Sequence, residues 1–293
     1  MKRHEDGWDL HEGDAITDEL SAIRLLGGGA AYEAYLAFDE VTFMPVVVKV
    51  LRPSQVEDES SLRGLRREVA ALATVNHPVV VRGLRHELGG ERPHVVLEQV
   101  DGPRLSTLVR RYGRLQPQQY LPLALDVAAA LHYFERVGWT HLDIKPSNVI
   151  MGAPARLIDL SVAREVDAAR ALRYPIGTDA YMAPEQADPG GAGEPSHASD
   201  VWGLGATLHH AVAGERPFPD GDPRAESLAD RFPQVKLAPR PLPGDVPGEV
   251  ASVVTACLAS NPADRPRPAD VSDALGPVLA ALPRGSLSGF KVR

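Results

Sequence analysis

Residues 139–161 read W-T-H-L-D-I-K-P-S-N-V-I-M-G-A-P-A-R-L-I-D-L-S, a polar loop running into two short apolar pieces at 148–151 and 156–160. The pieces have the length and composition of short strands. Asp143, Lys145 and Asn148 stand in or just after the loop, and Asp159 stands in the second piece. Taken singly, Asp143, Asn148 and Asp159 read as solvated turn residues. The lysines sharpen the picture, because the chain has only five (Lys2, Lys49, Lys145, Lys236 and Lys291) beside 26 arginines. A sequence that otherwise writes its positive charge as Arg keeps Lys49 and Lys145 at apolar-flanked interior places, and both need a chemical reason.

Working outward toward the N-terminus, residues 22–26, 33–38 and 46–51 are short apolar or alternating runs, separated by Gly27-Gly28-Gly29 and by a polar turn around Asp39 and Glu40. That pattern predicts an antiparallel meander. Residues 60–74 carry Leu62, Leu65, Val69 and Leu72 at the three- and four-residue spacing of a one-faced helix. Residues 94–100 resume as strand until Asp101-Gly102-Pro103 interrupts. Toward the C-terminus the composition turns helical. Residues 117–137 place Leu121, Leu125, Ala128, Leu131 and Phe134 at helical spacing, with Gly138 where a helix stop belongs. An irregular stretch to 195 follows, then a helix over 199–213, a Pro-rich passage over 216–247, and final helices to about 282. The prediction is an α+β chain in two lobes: a strand-rich small lobe over 16–99 with one helix, and a larger, mainly helical lobe over 100–280. A flexible acidic tail is expected over 1–15 and a C-terminal tail over 281–293.

The 293 residues are 44% hydrophobic and 24% charged, the composition of an ordinary globular protein. A net charge of −8 argues against nucleic acid or anionic lipid as the primary partner. The single cysteine, Cys257, excludes an intramolecular disulfide and a cysteine-based zinc site, so it is expected in the core of a cytoplasmic protein. Residues 1–14 lack the apolar stretch of a signal peptide, and no run approaches the roughly 18 apolar residues of a membrane span.

The ordered set of Gly27-Gly28-Gly29, Lys49, Glu68 nineteen residues later, H-L-D-I-K-P-S-N, L-I-D-L-S, G-T-D-A-Y-M-A-P-E at 177–185 and N-P-A-D-R-P at 261–266 resembles the eukaryotic-type protein kinase family. The match in order and spacing covers residues 16–280 or so and points to its bacterial-type serine/threonine branch. The resemblance implies the bilobal kinase fold, ATP and Mg2+ (or Mn2+) as cofactors, and a protein substrate with a Ser or Thr acceptor. In such an enzyme, catalysis is mainly positioning plus charge stabilisation. It implies that Lys49 holds the α and β phosphates with Glu68 as its ion-pair partner. Asp143 would orient the substrate hydroxyl, Lys145 would contact the γ-phosphate, and Thr178 would help define the acceptor site. Asn148 and Asp159 would bind metal. Gly27, Gly28 and Gly29 would form the phosphate turn, Ala34 and Val47 the roof of the adenine slot, and Leu97, Glu98 and Val100 the gatekeeper and hinge. Architectural roles fall to a Glu185–Arg265 ion pair and to Asp200, expected to hold the catalytic loop backbone.

Four departures from the family pattern stand out. Tyr32 takes the place of the third glycine, which reduces backbone freedom near the phosphates. Ala34 and Val47 exchange the usual Val and Ala, a swap that roughly conserves volume. Leu142 replaces the Arg before the catalytic Asp, and residues 159–185 contain only Ser161 and Thr178 as Ser or Thr, so no activation-segment phosphorylation is expected to be required. Ser161 replaces the Gly after the metal-binding Asp. These departures define the alternative reading, a pseudokinase acting as a nucleotide-binding scaffold or regulatory module. A small-molecule phosphotransferase is disfavoured by the presence of both A-P-E and its Arg partner. The input signal is expected from a regulatory protein partner or the acidic tail.

Overall fold

The computed structural model describes residues 6–283. Its first half consists of β1 (Ala15–Thr17), β2 (Leu20–Gly28), β3 (Tyr32–Asp39), β4 (Met44–Leu51), helix α1 (Glu59–Thr74), β5 (Gly83–Glu87) and β6 (His94–Glu98). The strands form one antiparallel sheet in the order β1-β2-β3-β4-β6-β5. Along β3 the burial alternates, with Glu33, Tyr35, Ala37 and Asp39 turned inward. Register places Ala34 opposite Lys49, and Val47 opposite both Leu36 and Leu97. Directly opposed residues share a face, so Ala34, Val47, Lys49 and Leu97 look to the same side of the sheet. The other face packs Ile16, Tyr35, Val46, Val48 and Val50 into a core of its own. Helix α1 starts at Asp58, whose carboxylate accepts from Ser61 N at 2.7 Å, and buries Leu65, Glu68 and Ala71 on one stripe.

The expected flexible tail is corrected over its described part. Trp8 and Leu10 pack against the outer core of the sheet, and Gly13 N donates to Ala22 O at 2.8 Å. The sheet needs cover for that apolar face, and these two side chains supply it, which outweighs the acidic composition around them. Residues 1–5 of that expectation lie outside the described residues, as do residues 284–293 of the expected C-terminal tail.

The second half comprises α2 (Leu105–Tyr112), α3 (Pro117–Val137), β7 (Trp139–Thr140), β8 (Val149–Ile150), β9 (Arg156–Leu157), β10 (Arg164–Glu165), α4 (Val166–Arg170), α5 (Pro184–Ala187), α6 (His197–Ala213), α7 (Leu228–Arg231), α8 (Gly248–Cys257) and α9 (Pro268–Ala280). Helix α6 is buried nearly all round and carries Trp202, stacked on Phe218 at 5.6 Å. Cys257 is fully buried against it. One continuous core runs from α3 and α6 up to Leu65, Ala71 and Leu97 of the small lobe, so α1 is seated on the large lobe as well as on the sheet. The irregular stretch predicted to 195 contains β10, α4 and α5, and the two pieces around residues 148–160 shrink to the two-residue pair β8–β9. No helix among the described residues is long and apolar enough to cross a membrane.

Candidate functional site

Two clusters face each other between the lobes. In the first, Lys49 on β4 is 5% exposed and points its ammonium at α1, donating to Glu68 Oε1 and Oε2 at 2.6 and 2.8 Å and to Asp159 Oδ1 at 2.9 Å. Burial alone would lower the Lys49 pKa, but the carboxylates of Asp159 and Glu68 more than offset it and hold the ammonium charged. Asp159 follows β9 in a left-handed backbone conformation, φ 72°. Burial opposes its ionisation, yet Lys49 and the Ser161 N–H hold it well below the usual carboxylate range.

The second cluster centres on Asp143. Its Oδ2 accepts from Lys145 Nζ at 2.7 Å and from Asn148 Nδ2 at 3.0 Å, while its Oδ1 accepts from Thr178 Oγ1 at 2.7 Å. Lys145 Nζ also donates to Thr178 Oγ1 at 2.6 Å, closing a triangle of acid, base and hydroxyl. The Ile158 amide donates to Asn148 O at 2.9 Å, which ties the loop holding Asn148 to the strand end holding Asp159. The loop backbone is itself clamped, since His141 N and Leu142 N donate to the two oxygens of Asp200 on α6 at 2.8 and 2.7 Å. Burial pushes the Asp200 carboxyl up to about 7, with these two bonds pulling the other way. Leu142 sits at φ 62°, a strained conformation for a large side chain, and Gln186 secures it by donating to Leu142 O at 2.8 Å. Gly177 comes so close that a Cβ would stand 2.7 Å from Leu142 O, so only glycine lets the segment carrying Thr178 reach Asp143.

The remaining predicted residues lie on the cleft side of the small lobe. Gly27 and Gly28 end β2, paired with Ala34 and Glu33, and Gly29 opens the turn to β3, closed by Gly29 N donating to Tyr32 O at 2.9 Å. Leu97 is buried at the end of β6. The Glu98 amide is already bonded to Arg82 O at 3.0 Å, and its side chain accepts from Arg82 N at 2.7 Å and from Arg156 Nη2. The Val100 amide has no acceptor among the described residues. Sequence reasoning named Tyr32 only as a misfit. Its ring in fact lies in the cleft, with the centroid 4.1 Å from Lys49 Nζ and the hydroxyl 3.4 Å from Asp159 Oδ2. Gln186, which bridges the catalytic loop and the segment, was not anticipated, since a lone Gln after A-P-E carries no recognisable signal.

The residues that carry the Lys49 pair and the Asp–Lys–Thr triangle all fall within residues 20–274, the stretch that matches the protein kinase domain. The chain belongs to the protein kinase family. The kinase is 32% identical over 264 residues to the serine/threonine-protein kinase PknB of Mycolicibacterium smegmatis, covering 85% of this chain and 41% of that protein. It is 32% identical over 256 residues to the serine/threonine-protein kinase PknA of Mycobacterium tuberculosis, covering 83% of this chain and 57% of that protein. PknB of Mycobacterium leprae is similar at 31% over 260 residues. The kinase thus spans about half the length of the curated relatives it matches, and these relatives are of the bacterial serine/threonine type that the motifs resemble.

Proposed function

We propose that this kinase transfers the γ-phosphate of ATP to Ser or Thr hydroxyls of protein substrates, without requiring phosphorylation of its own activation segment. The observation that carries the reading is the Asp143–Lys145–Thr178 triangle set opposite the Lys49–Asp159 pair. Asp143 is fixed on both oxygens, so it can accept the proton of an acceptor hydroxyl as that oxygen bonds to the γ-phosphorus and the bridging bond to ADP breaks. Lys145 then faces the transferred group, and Lys49, oriented by Glu68, faces the phosphates that remain with ADP. Thr178 favours a Ser or Thr acceptor by occupying the space beside Asp143. Ala34 and Val47 form the apolar roof for adenine, Leu97 is the gatekeeper, and the free Val100 amide is the hydrogen-bond donor to the ring.

Among the described residues no three His, Cys, Asp or Glu side chains converge into a metal cage. The amide oxygen of Asn148 and the carboxylate of Asp159 suit Mg2+ (or Mn2+), which takes one or two protein oxygens and completes its shell from phosphates and water. Asn148 and the ionised Asp159 would hold it, and when bound it neutralises charge on the phosphate oxygens. Independence of activation-segment phosphorylation is supported by Leu142. It packs with Ala169, Leu172 and Ile176 in an apolar cluster that pins the segment, where an Arg at this place would need an anion. A cytoplasmic location, a thiol Cys257 and a regulatory protein partner complete the proposal.

Transfer from γ-labelled ATP with magnesium to the chain itself and to a basic acceptor protein tests it. Wild type should yield phosphoserine or phosphothreonine, and Asp143→Asn and Lys49→Met should lose about 10²- to 10⁴-fold in rate. Strict dependence on a phosphate at Ser161 or Thr178 would remove the phosphorylation-independent part. The second reading, a nucleotide-binding pseudokinase, draws on Tyr32 lying against Lys49 and Asp159. Nucleotide binding without transfer would establish it.

A further inference from the structure

Residues 6–8 precede the matched kinase domain, which begins at residue 20, yet they reach the back of the nucleotide turn. Arg52, immediately after β4, is 6% exposed and distributes its guanidinium among three elements. Its Nε donates to Gly29 O at 2.8 Å, and its Nη1 donates to Glu33 Oε1 at 3.2 Å and to Asp6 O at 2.6 Å. Its own amide donates to Ala31 O at 2.9 Å. Both ends of the turn between β2 and β3 are therefore tied to one residue.

Glu33 completes the arrangement from the other side. It is 5% exposed, and its Oε2 accepts from Trp8 N at 3.0 Å and Tyr35 Oη at 2.9 Å. Trp8 Nε1 donates to Leu51 O at 2.7 Å, and the Arg92 guanidinium lies 4.6 Å from its ring. The Asp6 carboxylate accepts from Ser54 N at 3.2 Å and from the Ser54 hydroxyl. Gly7 lies so close that a Cβ would stand 2.9 Å from Glu33 Oε1. A buried Arg–Glu pair is stabilising only when its remaining hydrogen-bonding capacity is filled, and residues 6–8 fill it.

We propose that residues 6–8 act as a strap which, through the Glu33–Arg52 pair, positions the Gly27–Gly29 backbone for nucleotide phosphates, making Arg52 and Trp8 positioning residues for ATP binding. The proposal rests on reading that turn as the phosphate cradle. It follows that the strap governs nucleotide affinity and leaves the Asp143 cluster untouched. Among the described residues none of the strap's bonds reaches the large lobe.

Full-length Trp8→Ala, Gly7→Val, Arg52→Ala and Arg52→Lys proteins should be compared with wild type. The measurements are MgADP affinity by calorimetry, amide hydrogen exchange over residues 27–33, and steady-state kinetics. Trp8→Ala, Gly7→Val and Arg52→Ala should weaken MgADP binding and raise the KM for ATP about tenfold, with faster exchange over 27–33 and kcat within about threefold of wild type. Arg52→Lys should recover part of the affinity. Unchanged affinity and exchange in Trp8→Ala and Gly7→Val would overturn the proposal even if Arg52→Ala fails to fold. So would a uniform loss of kcat and melting temperature without a selective effect on nucleotide. A wild type that binds MgADP but transfers no phosphate would overturn the kinase activity while the strap is still judged on affinity and exchange. A wild type that binds no nucleotide would overturn both.

Discussion

Tyr32 lies across the proposed nucleotide site. Its ring holds Lys49 through a cation–π contact and its hydroxyl reaches Asp159, so under the proposed function phosphates at Lys49 and a metal at Asp159 would have to take its place. A desolvated contact of this type is worth about 1 kcal/mol or somewhat more, which opposes ATP binding by about fivefold. Tyr32→Ser should therefore lower the KM for ATP by about that factor, and an unchanged or higher KM would show that the ring assists binding. Asp200 offers a pH test. Burial pushes its carboxyl up to about 7 from an ordinary 3.8, so between those values the folded protein keeps a proton that the unfolded chain releases. The associated stability is fully present below about pH 4 and is lost as pH rises through 7. The unfolding free energy of wild type should fall between pH 5 and 7 relative to Asp200→Asn, and parallel curves would contradict the shift.

Among the elements, the segment from β10 through α4 to Ile176 depends on Leu142. With Ala169, Leu172 and Ile176 all buried around it, that side chain is the point where segment and catalytic loop share a core. Leu142→Ala should destabilise the protein by about 2–5 kcal/mol and speed amide exchange over 162–176 first. Exchange unchanged there would mean that Gln186 and Gly177 suffice to hold the segment. Helices α1 and α3 were legible because each carries its own apolar periodicity, whereas α6 is buried nearly all round. Strand β5 and helix α2 were not: β5 is an edge strand with mostly exposed residues and exists by pairing with β6, and α2 is a short helix with only Leu105 and Val109 buried. Helix α4 has five residues, too few for a period to show.

For the whole molecule, the end of the segment is bolted to the large lobe by Glu185 and Arg265, both fully buried at the side chain, with contacts of 2.6 and 2.9 Å. Arg265 also donates to Ala198 O, Ala259 O and Ser260 O and lies 5.0 Å from the Trp202 ring. Glu185→Gln leaves that guanidinium without its counter-charge and should cost about 3–5 kcal/mol. A double variant removing both partners should lose less than the two single losses combined. Chemical denaturation of the four proteins checks this, and additive losses would mean that the two residues act independently.

The amino-acid sequence alone determined the order of lobes, the helices with an apolar stripe, and the polar residues at Lys49, Glu68, Asp143, Lys145, Asn148, Asp159 and Thr178, because motif spacing and periodicity are local properties of the chain. The tertiary structure decided where Tyr32 points, what Arg52 and Glu33 hold, and that Trp8 and Leu10 pack on the sheet. Each of these depends on residues distant in sequence: Tyr32 meets Asp159 across 127 positions and Arg52 meets Asp6 across 46. Whether a polar group at such a place is solvated or buried depends on which partner the fold brings within hydrogen-bond reach, and no local pattern of residues carries that information.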